Sequence, residues 1–425
     1  MARKQGVFTQ YDDVWLLDGV RTPFVDYNHA LGQASPIDLG IKAAREAFAR
    51  SGVPSADVGH VFAGSMAQAS FDAYMLPRHI GLYSGVPLEV PATLTQRVCG
   101  TGMELVLRAG DAIELGQIEL GLCVGAESMT RNPVAAYTHR GGFRMGQIEF
   151  KDFLWEALLD PAASVTMGDT AENLAKQYKI SRQEVDRFAA ESFARALAAQ
   201  QDGFLAGEIA PVKTETFELA GYNPRGIRIP SKLAQVDQDT HPRPSPIEQL
   251  AQIKPAFGGV QTGGNSSAIV DGAAAALVAS GAYAKSSGRR PLARVVGGVA
   301  IGVPPEIMGI GPAPAIRRLL EGVGLKLDDI DRFEINEAFG AQCLAVIREL
   351  AIDRGKVNVN GGAIAIGHPL AATGVRLTLT VARELARSGG RYGIASACIG
   401  GGQGIALLVE NPDAPSLTAT PTRTN

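Results

Sequence analysis

Two residues with reactive side chains stand in short turns bordered by glycine. Cys99 lies in QRVCGTG, after an extended run and before a predicted helix. His368 lies in NGGAIAIGHPLAATG, among neighbours too small to bury it by themselves. The N-terminus of a helix favours a thiolate over a thiol. An imidazole can accept the proton of a thiol or donate to an oxyanion. These two residues are therefore candidates for nucleophilic catalysis.

A second thiol and an amide stand at two further turns. Cys398 precedes three glycines in ASACIGGGQG, where the backbone is free to donate N–H groups. Asn336 lies in INEAFG, where a strand gives way to a helix and where an asparagine could also be a simple helix cap. Taken together, the four residues fit acyl-transfer chemistry. Cys123 and Cys343 lie within apolar runs, and we expect them to be buried packing residues.

The composition argues against several other classes of function. The 425 residues allow two or three domains, and 46% apolar and 20% charged residues are ordinary for a globular protein. A net charge of −3 without a basic stripe argues against nucleic-acid binding. No apolar run approaches the length of a membrane span, and neither a dinucleotide motif nor metal-ligand spacing is present. Sparse cysteines and an N-terminal segment without an apolar stretch predict a cytoplasmic protein.

The elements that must position these turns alternate between strand and helix. Strands are predicted at 14–20, 59–65 and 120–127, and helices at 35–52 and 103–116. Residues 131–258 break the alternation and are predicted to be an insertion, although the stretch SRQEVDRFAAESFARALAAQ within them opens with a helix capping box. After 271 the alternation resumes, and the turn, helix and strand that follow His368 repeat the order that follows Cys99. The pattern predicts a parallel sheet covered by helices and an internal duplication.

Four of these segments resemble the thiolase family. RVCGTGMELV, INEAFGAQ, NGGAIAIGHPLAATG and CIGGGQGIALLVE are similar to its signature segments and occur in the family's order. RPSPIEQLAQIKPAF and TGGNSSAIVDGAAAAL are similar to its loop-domain exit and to the helix after it, so the similarity runs from about residue 14 to 410. The resemblance implies an α/β thiolase fold of two duplicated α-β-α-β-α layered halves, 1–282 and 283–411. A loop domain would be inserted at about 131–258, and 412–425 would be a disordered tail.

The resemblance also implies a reaction. Cys99, activated by His368, would take an acyl group from a 3-ketoacyl-CoA, and coenzyme A would carry it away; the reverse reaction is a Claisen condensation. Cys398 would be the acid and base for the α-carbon proton. Asn336 would hold a water that forms one oxyanion hole with His368, and the backbone N–H groups of Cys99 and Gly400 would form the other. Coenzyme A would be a co-substrate, with no covalently bound cofactor and no metal.

The family's substrate contacts match five more residues. Ser267 would meet the pantetheine arm of coenzyme A, and the acyl pocket and tunnel would be lined by Met167, Met308, Ala338 and Phe339. Thr166 stands where short-chain biosynthetic members carry a histidine, and Val270 stands where many members carry an asparagine. These departures leave the acyl chain length open.

Two other functions stay open from the sequence. Decarboxylating condensing enzymes share the fold but lack the second cysteine, so Cys398 argues against them. A non-catalytic acyl-CoA or lipid carrier would not need the catalytic set. The resemblance further suggests fatty acid β-oxidation as a pathway, and a homotetramer (or dimer) that uses the loop near 131–150.

Overall fold

The computed structural model describes residues 6–67, 69–137 and 139–414, so 415–425 of the predicted tail lie outside the described residues. The first helix shows how local sequence sets element boundaries. The Ser35 hydroxyl accepts a hydrogen bond from the Asp38 backbone N–H, Pro36 opens the helix, and Gly52 ends it in a left-handed conformation. The elements up to residue 127 are β1 (Val7–Gln10), β2 (Val14–Arg21), β3 (Val25–Asp26), α1 (Pro36–Ser51), β4 (His60–Gly64), α2 (Leu76–Tyr83), β5 (Ala92–Leu94), α3 (Thr101–Glu114) and β6 (Leu120–Glu127).

An inserted region of short elements follows, between residues 128 and 269. Its longest helix opens with the predicted capping box, in which the Ser181 hydroxyl and the Glu184 carboxylate each accept the other residue's backbone N–H. The elements of this region are β7 (Val134–Ala135), β8 (Lys151–Asp152), α4 (Phe153–Glu156), β9 (Leu159–Asp160), β10 (Val165–Thr166), α5 (Met167–Gln177), α6 (Arg182–Gln201), α7 (Phe204–Glu208), β11 (Glu215–Phe217), β12 (Arg225–Ile227) and α8 (Ile247–Leu250).

The last part of the chain returns to longer elements. One prediction for it is wrong, because Val270–Ser280 is a strand and not the helix expected from the family resemblance. All but its last residue are buried, and a strand covered on both faces accommodates a run of alanines. The elements are β13 (Val270–Ser280), α9 (Gly281–Ser286), β14 (Ala293–Gly302), α10 (Pro312–Val323), β15 (Arg332–Ile335), α11 (Gly340–Leu350), α12 (Ala363–Ile366), α13 (Leu370–Ser388), β16 (Tyr392–Ile399) and β17 (Gln403–Glu410).

The main sheet is mixed, not parallel as predicted. Within the described residues it has 11 strands, with β15-β16-β17-β14-β2-β13-β6-β4-β5 as its order and β1 and β3 paired at its side. Among the strand pairs that the structure describes in this sheet, β4–β5, β4–β6 and β15–β16 are parallel and the rest are antiparallel. β13 and β17 run antiparallel to both of their neighbours. The turn at residues 400–402 joins β16 directly to β17, and a hairpin of this kind forces antiparallel pairing.

The strand order confirms the duplication. In the first half the order is β5-β4-β6-β13-β2, and in the second half it is β15-β16-β17-β14. A parallel bridge from Phe333 to Val357 supplies the second half's counterpart of β5. The two sheets meet where β2 pairs with β14, at Leu16 with Ala293 and at Trp15 with Arg294. The halves therefore share one topology and are related by an approximate twofold axis.

Two helices at the centre of the molecule bring the reactive turns together. α3 and α13 hold equivalent places in the two halves and pack against each other. A Cβ on Gly102 would lie 2.4 Å from the Val375 backbone N, and one on Gly374 would lie 2.3 Å from the Met103 backbone N. The helices are thus in backbone contact near their N-termini. No helix in the described part of the chain has the length and apolar character needed to cross a bilayer.

Candidate active site

Cys99 lies in a strained turn at the start of α3. The preceding Val98 has φ 45°, which a β-branched residue rarely adopts. The Thr101 hydroxyl holds the turn, because its oxygen accepts from the Arg97 backbone N–H at 2.9 Å and its hydrogen is donated to the Val98 carbonyl at 2.7 Å. Cys99 is 8% exposed and shares a small buried cluster with Met129 and Leu370. Leu370 lies two residues beyond His368.

The Cys99 side chain is a thiol at rest. Burial raises its pKa to about 11, and the Glu127 carboxylate adds to the rise. The backbone N–H groups of Gly400 and of Cys99 itself hydrogen-bond to the sulfur and act in the opposite direction. The expectation that the helix start would favour a thiolate is therefore wrong for this state, because loss of solvation outweighs the backbone donors. A thiol of this kind needs a base.

His368 is held by the backbone of a glycine turn. Gly367 has φ 105°, and a Cβ there would lie 2.6 Å from the Val270 side chain. Only glycine fits this position without strain. The His368 backbone N–H donates to the Ala268 carbonyl at 3.0 Å, which fixes the turn against the segment before β13. Val270, one of the departures from the family pattern, thus packs on the turn that carries His368.

The imidazole of His368 is buried and neutral. Burial lowers its pKa to about 3, and the positive charge of Arg376 lowers it further. Its Nε2 lies 3.3 Å from Nδ2 of Asn336, and its Nδ1 lies 2.6 Å from Oγ1 of Thr373. A neutral imidazole keeps one nitrogen lone pair, so His368 is able to accept a proton.

Asn336 lies beside His368 and is not a helix cap. Its backbone N–H donates to the Ser396 carbonyl at 2.9 Å, and α11 begins only at Gly340. Its side chain is fully buried beside the imidazole, and Oδ1 has no hydrogen-bond partner among the described residues. That oxygen is available to a small polar group, which suits the oxyanion-hole role predicted for this residue.

Cys398 is the penultimate residue of β16 and lies inside an apolar cluster. It is fully buried, and burial together with the neighbouring Cys99 thiol raises its pKa well above the usual range. Cys123 and Cys343 are also fully buried, as predicted for packing residues. The cluster around Cys398 contains four of the predicted substrate contacts, together with Leu158 of the inserted region: Met167, Met308, Ala338 and Phe339.

The remaining predicted residues adjoin the same cluster. A Cβ on Gly400 would lie 3.2 Å from Sδ of Met167, so the turn after Cys398 touches the predicted acyl pocket. The Ser267 backbone N–H donates to the Ala338 carbonyl at 3.0 Å, and Ser267 itself is half-buried. The structure therefore brings all of the predicted site residues into one region.

Thr166, one of the departures from the family pattern, caps a helix. Its hydroxyl accepts from the Asp169 backbone N–H at 3.2 Å, and Asp169 accepts from the Thr166 backbone N–H at 2.8 Å. This capping box starts α5 at Met167. The side chain at 166 therefore fixes the position of a pocket residue.

The sequence analysis did not identify Glu127, a buried carboxylate that joins the two halves. It accepts hydrogen bonds from the Ser65 hydroxyl at 2.9 Å and from the backbone N–H groups of Met66 at 2.9 Å and Ala67 at 3.2 Å. It also accepts from the Ala371 backbone N–H at 3.1 Å, in the first turn of α13, where a negative charge is favourable. Glu127 could have been found in the sequence, because it is an acidic residue at the end of the otherwise apolar strand LGLCVGAE.

A second buried carboxylate, Glu337, was also missed. It accepts from the Ser192 hydroxyl at 2.7 Å, the Asn358 amide at 2.8 Å and the Ile364 backbone N–H at 3.2 Å. These bonds tie the turn after β15 to α6 and to α12, the helix before His368. Glu337 thus fixes the turn that carries Asn336.

Comparisons with known proteins agree with this geometry. Residues 14–282 match the model of the thiolase N-terminal domain, and residues 289–411 match that of the thiolase C-terminal domain. The chain is 42% identical to bovine (Bos taurus) mitochondrial 3-ketoacyl-CoA thiolase, over 94% of this chain and 98% of that protein. It is 40% identical to the β-ketoadipyl-CoA thiolase of Pseudomonas aeruginosa, over 94% and 99%. The crystal structure of human mitochondrial 3-ketoacyl-CoA thiolase in complex with CoA superposes with a TM-score of 0.87 at 40% identity, over 94% and 98%. With its duplicated fold, its converging thiols and imidazole and these matches, the chain belongs to the thiolase family of acyltransferases.

Proposed function

We propose that this thiolase cleaves linear 3-ketoacyl-CoA thioesters with coenzyme A, and catalyses the reverse condensation, through an acyl group on Cys99. The observation that carries the proposal is the convergence of Cys99, His368, Asn336 and Cys398 where α3 and α13 meet. A resting thiol and a neutral imidazole in one buried region are suited to proton transfer when substrate arrives.

The first half-reaction uses both cysteines. His368 takes the Cys99 proton, and the thiolate attacks the keto carbon of the substrate. The bond between the α-carbon and the keto carbon then breaks, leaving the acyl group on Cys99. Cys398 gives its proton to the departing α-carbon, so acetyl-CoA leaves and Cys398 becomes a thiolate. The oxygen that becomes negative in this step is stabilised by the backbone N–H groups of Cys99 and Gly400 or by Asn336 with His368.

The second half-reaction restores the resting state. The Cys398 thiolate takes the thiol proton of the incoming coenzyme A, whose sulfur attacks the acyl group on Cys99. Cys99 leaves as a thiolate and recovers its proton from the His368 imidazolium. The products are acetyl-CoA and an acyl-CoA shortened by the acetyl unit, and no proton is gained or lost overall.

The pocket around Cys398 supports a linear, apolar acyl group as the substrate. Met167 and Met308 are flexible thioethers that can adapt to chains of different length. Leu158 and Phe339 lie at the edge of the same cluster. This lining, and the similarity to mammalian 3-ketoacyl-CoA thiolases, support a degradative role in fatty acid β-oxidation.

The test is CoA-dependent cleavage of acetoacetyl-CoA beside a medium-chain 3-ketoacyl-CoA. We expect turnover of both, and an acyl mass increment on the Cys99 peptide when coenzyme A is withheld. Cys99→Ala should lose activity by about 10⁴-fold or more, as expected for a nucleophile. Cys123→Ala, which alters a buried thiol of β6, is the matched control. Wild-type rates in Cys99→Ala would refute the proposal.

The oligomeric state and the cellular location of the protein are also proposals. We propose a homotetramer in which residues 131–150 contact another copy, supported by the exposed Met145 and Phe150, at 102% and 66%. A sedimentation mass of two chains at micromolar concentration would refute the tetramer and leave the dimer. A cytoplasmic location rests on the sparse free cysteines alone, and the bovine and human relatives are named mitochondrial.

A further inference from the structure

His368 has a second polar partner that the proposed reaction does not use. Its Nδ1 lies 2.6 Å from Oγ1 of Thr373, on the first turns of α13, while its Nε2 lies on the other side of the ring beside Asn336. Thr373 and Asn336 are fully buried, and His368 is 5% exposed. Solvent therefore does not compete for either nitrogen, and the protein decides which nitrogen carries the hydrogen.

Hydrogen counting at Thr373 favours one tautomer. Oγ1 of Thr373 lies 3.3 Å from the carbonyl oxygen of Pro369, which can only accept a hydrogen bond. The hydroxyl has a single hydrogen, and donating it to Pro369 leaves Oγ1 with lone pairs toward His368. The short contact between Nδ1 and Oγ1 is then a hydrogen bond donated by the imidazole.

The hydrogens of the Asn336 amide also indicate that His368 carries its hydrogen on Nδ1. Its Nδ2 carries two hydrogens and no lone pair, and it lies 3.3 Å from Nε2. A favourable contact requires a lone pair on Nε2. The Nε2–H tautomer would require the Thr373 hydroxyl to donate to Nδ1. It would also require the Asn336 side-chain amide to flip, so that its oxygen faces Nε2. Two independent contacts thus place the hydrogen on Nδ1 and the lone pair on Nε2.

The charged groups near the His368 ring do not determine which nitrogen carries the hydrogen, so the hydrogen bonds determine it. Arg376 lies on the same helix and is paired with the buried Glu334 at 2.8 Å. The Cys99 thiol, in the turn before α3, lies close to the Cys398 thiol of β16, and Glu127 contacts the start of α13 at Ala371. With the pKa of His368 lowered by burial, the ring has one hydrogen only. Its location then determines which nitrogen can act as a base.

We propose that Thr373 is a positioning residue that holds His368 in the Nδ1–H tautomer, so that the Nε2 lone pair receives the Cys99 proton. The inference rests on the proposed function for its consequence, but not for the tautomer itself. In the step, the S–H bond of Cys99 breaks and an N–H bond forms at Nε2. The Nδ1–H remains donated to Thr373, which stabilises the imidazolium until the proton returns to Cys99. No other reactant is needed.

The test compares Thr373→Val, which replaces the hydroxyl with a methyl group of similar size, with Thr373→Ser, which keeps the hydroxyl. Thr378→Val is the matched control, because Thr378 is equally buried in α13 but donates to the Gly374 carbonyl. We expect the rate of Cys99 acylation to fall by about 10- to 100-fold in Thr373→Val, with KM unchanged. The acylation rate of Thr373→Ser should stay within about threefold of the wild-type rate, and that of Thr378→Val should equal the wild-type rate.

Imidazole ¹⁵N chemical shifts give a readout that a packing defect would not change. The chain has 6 histidines, so the His368 signals can be assigned by difference from His368→Asn. We expect the Nδ1–H tautomer in the wild type and in Thr373→Ser, and a mixture in Thr373→Val. A wild-type ring protonated at Nε2, or a full acylation rate in Thr373→Val, would overturn the inference. If Thr373→Val does not fold, the ¹⁵N chemical shifts of the wild type alone show which tautomer His368 adopts. If the wild type lacks thiolase activity, the proposed function fails while the tautomer is still measured.

Discussion

At Cys99, burial and backbone hydrogen bonds act on one sulfur in opposite directions. Burial dominates and raises the thiol pKa to about 11, above the 9.0 of an ordinary thiol. The His368 imidazole stays neutral, because burial lowers its pKa. The free enzyme therefore holds a thiol and a neutral base in one buried region, and the thiolate forms only during the reaction.

This state predicts how Cys99 is alkylated. The rate of modification by iodoacetamide should rise continuously from about pH 7 to about pH 10, because the thiolate fraction grows toward the raised pKa. His368→Asn should leave this pH dependence unchanged, since no ion pair exists to be lost. The modified peptide is quantified by mass spectrometry. A plateau reached by about pH 7, abolished in His368→Asn, would show a resting thiolate–imidazolium pair and contradict the prediction.

The sequence predicted the chemical groups of the site better than their partners. Cys99, His368 and Cys398 could be found because a reactive side chain in a glycine-rich turn is unusual by itself. Thr373 and Glu127 could not, because a threonine on an apolar helix and an acid after a strand acquire meaning only from contacts with other segments. Burial is also set by distant segments, so the direction of the Cys99 pKa shift could not be predicted from its local turn.

At the scale of elements, the position of the site depends on the contact between α3 and α13. Most helices and strands were predictable, because apolar periodicity and caps are local properties. Strand direction was not, since it depends on whether a connection is a crossover helix or a hairpin. The alanine-rich β13 was mistaken for a helix because its covering by elements on both faces is not visible in the sequence.

Gly102→Ala should separate these two helices. The added methyl group would lie 2.4 Å from the Val375 backbone N and 2.8 Å from the Ala371 carbonyl oxygen, and backbone atoms cannot move aside as a side chain can. We expect kcat to fall by about 100-fold, because a displacement of about 1 Å at a reacting pair has that effect. Steady-state kinetics and the thermal midpoint provide the measurement.

Gly207→Ala is the control for this substitution. Gly207 lies in α7, and a Cβ there would meet nothing within 4 Å. Alanine should keep wild-type activity and stabilise the chain by about 0.5–1 kcal/mol, as expected for glycine replaced in a helix. Equal activity in Gly102→Ala and Gly207→Ala would mean that the helix contact does not set the site.

At the scale of the whole molecule, one buried arginine joins the sheet to the inserted region. Arg21 of β2 is fully buried and donates to Glu208 at 3.1 Å and to Asp239 at 2.6 and 2.8 Å. Glu208 also accepts from the Thr380 hydroxyl of α13 at 2.7 Å. Both carboxylates belong to the inserted region, so this cluster fastens that region to the core.

Arg21→Met should destabilise the protein strongly. Removing the cation leaves two buried carboxylates without a positively charged partner, which costs about 3–5 kcal/mol. Arg290→Met, whose side chain is 76% exposed and paired with Asp413, should change stability by less than about 1 kcal/mol. Urea unfolding of the two variants measures the difference. Equal midpoints would show that the buried cluster is not what holds the inserted region.

The approximate twofold relation between the halves has a consequence for the origin of the site. Cys99 and His368 occupy corresponding turns, one before α3 and the other before α13. The reciprocal contacts of Gly102 and Gly374 make these two glycines equivalent. Ala371, three residues after His368, is therefore the counterpart of Cys99. Two identical copies of a half, associated as a symmetric pair, would carry every reactive side chain twice. The joined chain keeps the thiol in one half and the imidazole in the other, and so it builds one site in place of two.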